Sequence, residues 1–304
     1  ILQFVLGIRG KLPSLNPWSS AVFLSSSLPG NAPVNHRQRD NSPTALQKDV
    51  AHTLAVARQY LSWLPGGPAY LEGKTVLEIG PGINLGTALI LTGFGAKVFV
   101  ADRFPCGWEN SYHSPFYSLL LHQLPKEFPG IRTCFLEAFI QHHQIPELLV
   151  FPHQLEDLRT VPYHSIDIFL SNAVLEHCQD PWAACREMAR VARPGAIATH
   201  QVDFRDHRDM NQPLEFLLLT EDEFQKEFEL RNGECGNRMR PIEWETTFRE
   251  HGWKVSSFEP NFFTEEAYLK NFLPRLQTAA QPRFGDLLVP ELSILCGRYQ
   301  LEFS

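Results

Sequence analysis

With 304 residues, 43% of them hydrophobic and 20% charged, the chain is long enough to bury its own core without disulfide or metal staples. A formal net charge of -7 argues against a bulk electrostatic hold on nucleic acid or anionic lipid, so a small molecule is the expected partner. The six cysteines form no Cys-x-x-Cys pair, which speaks against a zinc ribbon and a secreted disulfide scaffold and fits a reducing cytoplasm. Residues 1–43, rich in Pro, Ser and Asn, read as an irregular arm. Its apolar opening, Ile1 to Ile8, precedes Arg9 and Lys11, the wrong order for a signal peptide and too short for a bilayer span, and no transmembrane segment follows. Ser42-Pro43 supplies an N-cap and an N1 proline for a helix carrying Leu46, Val50, Leu54, Ala57, Leu61 and Leu64, ended by Pro65-Gly66-Gly67. Short apolar runs then predict buried strands at Thr75–Ile79, Lys97–Ala101, Glu147–Phe151, Ile166–Leu170 and Ala196–His200. Helices are expected between them at Thr87–Thr92, Phe116–Phe128 and Pro181–Ala192. A polar and aromatic stretch, about 204–250, interrupts the alternation, and Trp253–Phe258 and Leu292–Cys296 read as the pair that closes the sheet.

This alternation predicts an α/β, Rossmann-like, seven-stranded, mostly parallel sheet with helices on both faces. Residues 1–70 are read as an arm and helix covering the site, and 71–304 as one domain with cover insertions at about 105–145 and 204–250. The most informative stretch is Val76-Leu77-Glu78-Ile79-Gly80-Pro81-Gly82-Ile83-Asn84-Leu85-Gly86, a buried strand running through a glycine turn into a helix. Glycines let backbone approach a ligand, and the helix start offers free N–H groups. No Lys-Ser/Thr follows, against a nucleoside triphosphate loop, and the third glycine of a dinucleotide fingerprint falls one place late, at Gly86.

The remaining pattern, Glu-x-Gly-x-Gly, resembles the first motif of class I S-adenosylmethionine-dependent methyltransferases, and further motifs follow in the family's order. Asp102, with Arg103 beside it, stands where that family places the carboxylate that accepts the ribose hydroxyls. Gln154-Leu155-Glu156-Asp157-Leu158 is similar to the segment along the adenine, and Ile166 to His177 to the fourth strand and its loop. Ala189-Arg190-Val191-Ala192-Arg193-Pro194-Gly195-Ala196 is similar to the helix–turn–strand signature, so the likeness covers about residues 70–205. The chain is likewise similar to type 11 and type 12 methyltransferase-domain proteins, a resemblance that names no acceptor. It implies S-adenosyl-L-methionine as cofactor, S-adenosyl-L-homocysteine as product, and a cofactor site of Glu78, Gly80, Pro81, Gly82, Asn84, Gly86, Asp102, Arg103, Leu155, Glu156, Asn172 and Ala173. Ile83 and Asn84 depart from the Asp or Thr with Gly or Ser of relatives. Ser171-Asn172-Ala173-Val174 is not the Asn-Pro-Pro-Tyr loop of amino-group methylases, which lowers nucleobase methylation further.

Methyl transfer from a sulfonium is an in-line displacement in which the protein aligns donor and acceptor. The expected function is O-methylation of a small metabolite, a sugar, polyketide, phenol or carboxylate. A hydroxyl acceptor needs a general base, and His177, His207 and His200 are the candidates beyond the fourth and fifth strands. His200, Asp203 and His207 are also metal-ligand types, but their spacing matches no helical ligand pair, and no metal is expected. Arg205 is read as pairing with Asp206 or holding an acceptor carboxylate. The run Trp108 to Tyr117 and the pair Arg238 and Arg240 are read as acceptor-facing, with packing and a solvated face as the alternatives. Aminocarboxypropyl transfer, donor cyclisation and a non-catalytic donor-binding module remain the rival functions, and a homodimer is left open.

Overall fold

A computed structural model describes residues 40–105, 107–231, 233–279 and 289–304. Residues 1–39 of the expected arm, and Cys106, lie outside the described residues.

Helix α1 (Pro43–Trp63) starts where the sequence places it, with the Ser42 side chain accepting from the Ala45 N–H. Strands β1 (Thr75–Ile79), β2 (Lys97–Ala101), β3 (Leu148–Phe151) and β4 (Ile166–Asn172) pair in parallel, with α2 (Gly86–Gly93) between the first two. After α5 (Pro181–Val191), β5 (Ala192–Asp203) joins the parallel set, while β7 (Ile294–Phe303) runs antiparallel to β5 and to β6 (Trp253–Phe263). The order is β3-β2-β1-β4-β5-β7-β6, a seven-stranded α/β sheet as read from the sequence.

Both faces are covered. Val76, Val98, Val100, Ile168 and Leu170 pack under α1, α2, α3 (Asn110–Glu127) and α4 (Cys134–His142). Leu77, Phe99 and Phe169 face the opposite way, under α5 and α7 (Pro241–Glu250). A third apolar cluster joins α6 (Glu221–Leu230) and α8 (Glu266–Ala279) to Leu292 and Leu295, next to the short α9 (Val289–Ser293). No helix among the described residues is long and apolar enough to cross a membrane.

Several boundaries move, each for a physical reason. Helix α3 begins at Asn110 rather than Phe116 and runs through Pro115 and Pro125, because burial of Tyr112 and His113 outweighs the lost backbone donors. Helix α4 escapes a period search because only Leu136 and Phe139 are buried in its nine residues. Arg193-Pro194-Gly195 is an irregularity inside β5 rather than a turn before it: the register to β4 jumps between Ile166/Ala192 and Ile168/Ile197. The last strand is longer than read and starts at Ile294, since Leu292 and Ser293 close α9. Its Gly297 is needed for packing, as a Cβ there would come within 2.4 Å of the Phe258 ring.

Candidate functional site

Two neighbouring cavities open beyond the carboxyl ends of β1, β2 and β4, the usual ligand position in an open parallel sheet. The larger, about 870 Å³, is lined by the β1 turn, by Asp102, Arg103 and Phe104 after β2, by His153 to Glu156 after β3, and by His177 and His207. The smaller, about 340 Å³, lies between the same glycine turn and α1. Gly80, Gly82 and Ala173 border both.

The turn is a cradle that side chains would fill. Gly80 has φ +64°, and a Cβ there would stand 2.7 Å from Val174. Gly82 has φ +82° and open space where its Cβ would be. The turn is held at both ends: Gly80 donates to the Ala101 carbonyl (2.9 Å), and the Asn84 side chain accepts from the Gly86 N–H (2.9 Å). From behind, the Leu85 N–H donates to the Tyr117 hydroxyl (3.1 Å), and His113 Nε2 lies 3.3 Å from the Ile83 carbonyl. Across the cleft Ala173, with φ +56°, sits in the left-handed region that a non-glycine residue adopts at a cost, anchored by its N–H on the Gln201 carbonyl (2.9 Å).

Two acids face the turn. Asp102 accepts the Phe104 N–H at 2.6 Å, and burial raises its pKa against the pull of that bond and of Arg103. Glu78 is buried, its Oε2 has no partner, and burial, helped by the Asp102 charge, pushes its pKa up to about 8. The folded chain therefore holds a proton that the unfolded chain loses near 4.5, so stability falls as pH rises from that value through about 8. Glu78→Gln is expected to flatten this limb in melting temperatures taken across that range. An unchanged slope would show that Glu78 is not its source.

Of the remaining expected cofactor residues, Pro81, Asn84 and Asn172 line the α1 chamber, and Leu155 and Glu156 line the large cavity. Gly86 lies just inside α2, lining neither cavity. The Glu156 carboxylate accepts the Gln179 N–H at 2.6 Å and the Asp180 N–H at 3.4 Å, holding the loop before α5. Missing from the sequence reading are Asp49, His52, Thr53 and Tyr60, which α1 places on the small chamber. Their signal was a polar stripe on an otherwise apolar helix face, with Thr53 buried.

The histidines separate. His177, on a 3₁₀ turn after β4, and His207, after β5, both line the large cavity with ring centroids 5.1 Å apart. His200 does not join them. It is fully buried within β5, 2.8 Å from the Ser171 hydroxyl and stacked near Phe248, and burial pushes its pKa down to about 3.

Three further expectations are corrected. Arg205 pairs with Asp203, not Asp206, which is taken by Arg208. Arg238 and Arg240 are buried, not offered to an acceptor: Arg238 stacks on Phe224, and Arg240 donates to three backbone carbonyls. The aromatic run Trp108 to Tyr117 lines neither cavity. Its Tyr112, His113, Phe116 and Tyr117 are core residues that brace the glycine turn. No group of three or more His, Cys, Asp or Glu among the described residues is arranged to hold a metal ion.

Residues 134–199 match the model of a family described as "Methyltransferase domain"; the match runs from α4 to β5 and leaves out the glycine turn. The chain is similar to a chain of the complex containing the Haloferax volcanii Trm112 methyltransferase activator, at 14% identity over 86% of this chain and 95% of that one, with a TM-score of 0.46. It is similar to Haemonchus contortus phosphoethanolamine N-methyltransferase 2 in complex with S-adenosyl-L-methionine, at 12% identity over 88% and 58%, TM-score 0.47. It is also similar to an S-adenosylmethionine-dependent methyltransferase from Mesorhizobium loti, at 13% identity over 79% and 94%, TM-score 0.44. A search of the curated proteins finds no match. Residues 134–199 thus resemble a methyltransferase domain. A cradle open at Gly82 and a buried acid at Glu78, whose Oε2 has no partner, fit a zwitterionic, cationic nucleoside.

Proposed function

We propose that this protein methylates an oxygen of a small metabolite, with a cavity histidine as general base. The reading rests on one observation: His177 and His207 meet on the wall of the cavity that also receives Asp102 and the glycine turn. In the proposed arrangement Asp102 and Arg103 hold the ribose end of the cofactor, and His153 to Glu156 flank its base. Glu78, Asn84, Asn172 and the α1 residues take the amino-acid arm. When bound, S-adenosylmethionine supplies a methyl carbon that an acceptor oxygen displaces from sulfur, leaving S-adenosylhomocysteine. The walls orient the acceptor, which alone is worth about 7–11 kcal/mol of barrier, and a histidine nitrogen takes its proton, worth about 10²–10⁴-fold. His177 is suited to accepting a hydrogen bond at neutral pH: burial lowers its pKa, and its Nδ1 lies 3.0 Å from the Gly233 carbonyl, leaving Nε2 with the lone pair.

The test is incubation with methyl-labelled S-adenosylmethionine and a panel of sugars, phenols and carboxylic acids. The expected outcome is S-adenosylhomocysteine together with an acceptor heavier by one CH₂. Methylthioadenosine with an aminocarboxypropyl adduct would replace methyl transfer by another reaction. Tight donor binding with no turnover on any acceptor would make the chain a binding module.

A further inference from the structure

We infer that His207 is the base, that Asp203 is the residue that positions it, and that His177 orients the acceptor beside it; this rests on the methyl-transfer reading above. Three groups in series carry the assignment. Arg205 donates to both carboxylate oxygens of Asp203, through Nε at 2.9 and 3.1 Å. Asp203 in turn presents Oδ2 to His207 Nε2 at 3.6 Å. That ring nitrogen is buried with no other partner, so its proton faces the carboxylate and Nδ1 is the nitrogen left for the acceptor.

The two histidines differ in what stands behind them. His177 is backed by a neutral carbonyl at Gly233, which fixes its tautomer and favours the charged ring, but less strongly than burial opposes it. His207 is backed by a carboxylate that its arginine keeps ionised, well below the usual range. A proton gained at His207 Nδ1 leaves an imidazolium beside that carboxylate, whereas one gained at His177 is opposed by burial and by His207 itself. The step breaks the acceptor O–H bond and makes an N–H bond at His207 Nδ1, leaving the oxygen its electron pair for the methyl carbon. The imidazolium then returns the proton to water. The other titratable groups on the wall around His207 are His177 from the turn after β4, Arg208 beside it, and Arg231, Glu234 and Cys235 from the segment before α7, while Glu176 acts on Asp203. Glu176 is kept protonated by burial, so Asp203 is the carboxylate that acts on the ring.

The experiment is NMR of the ring-¹⁵N-labelled protein, wild type and Asp203→Asn, with S-adenosylhomocysteine bound, titrated across pH. The expected result is an Nε2–H tautomer at His207 in the wild type. Asp203→Asn is expected to weaken that tautomer preference and to move the His207 ring ¹⁵N shifts. Unchanged His207 ring ¹⁵N shifts and an unchanged tautomer in Asp203→Asn would overturn the assignment. Kinetics on an acceptor from the panel provide the second reading. His207→Gln and Asp203→Asn are expected to lower kcat by about 10²-fold or more, with the limb of the pH profile moving in Asp203→Asn. His177→Gln is expected to act chiefly on KM. His207→Gln that folds, binds S-adenosylhomocysteine and keeps wild-type kcat would sink this inference while leaving methyl transfer intact. Wild type that turns over no acceptor would sink methyl transfer instead, and the NMR reading would still decide whether Asp203 governs His207.

Discussion

Replacing Asp102 by alanine is expected to weaken S-adenosylhomocysteine binding by about 10²–10⁴-fold in calorimetry, with no loss of melting temperature. A carboxylate holding two ribose hydroxyls makes two charge-assisted hydrogen bonds, each worth about 1.5–3 kcal/mol. Both are lost in the variant. The stability half of the expectation follows from the sign of the pKa shift. Burial raises Asp102 above its ordinary value, so the ionised carboxylate is a burden on the folded chain near neutral pH, and its removal relieves that burden. The Phe104 N–H loses its acceptor, but it lies at the cavity where water can reach it. A variant that binds within about 3-fold of wild type would show that the ribose is not held at the end of β2.

Arg240→Met is expected to cost about 3–5 kcal/mol and to lower the melting temperature by about 10 °C. The Arg240 side chain is fully buried, and its guanidinium donates to the carbonyls of Phe204 (2.8 Å), Glu291 (3.0 Å) and Ile294 (2.6 Å). It therefore ties the end of β5, where Asp203 lies, to the entrance of β7. Burial lowers its pKa to about 10, which leaves it charged at neutral pH. Methionine fills much of the volume but strands three carbonyls in an apolar setting. Lysine, a point charge without the planar fork, is expected to rescue less than half of the loss. A melting temperature within about 2 °C of wild type would show that water takes over these carbonyls.

What was legible in the sequence is what depends on local pattern. β1 and β2 are apolar runs whose ends fall where they were read, and the glycine turn, Asp102 and the Ser42 cap of α1 are short-range signals with definite backbone consequences. Hidden from it was everything set by contacts between distant segments. Pro115 reads as a helix start until the burial of Tyr112 and His113 is seen. Arg238 and Arg240 look like surface charge because nothing near them in the chain announces the carbonyls they reach 19 to 54 residues away. His200 and His207 were indistinguishable as residue types. The end of β5 at Asp203 divides them, one inside the sheet and one beyond it.

The bracing of the glycine turn by α3 bears on how this protein evolves. Because Tyr117 and His113 hold the loop from about 30 residues away, part of its shape is set during folding, which lowers the ordering cost of binding. Ligand preference can therefore drift through substitutions in a helix that lines neither cavity. A laboratory search for versions that accept enlarged cofactor analogues has reason to begin at α3.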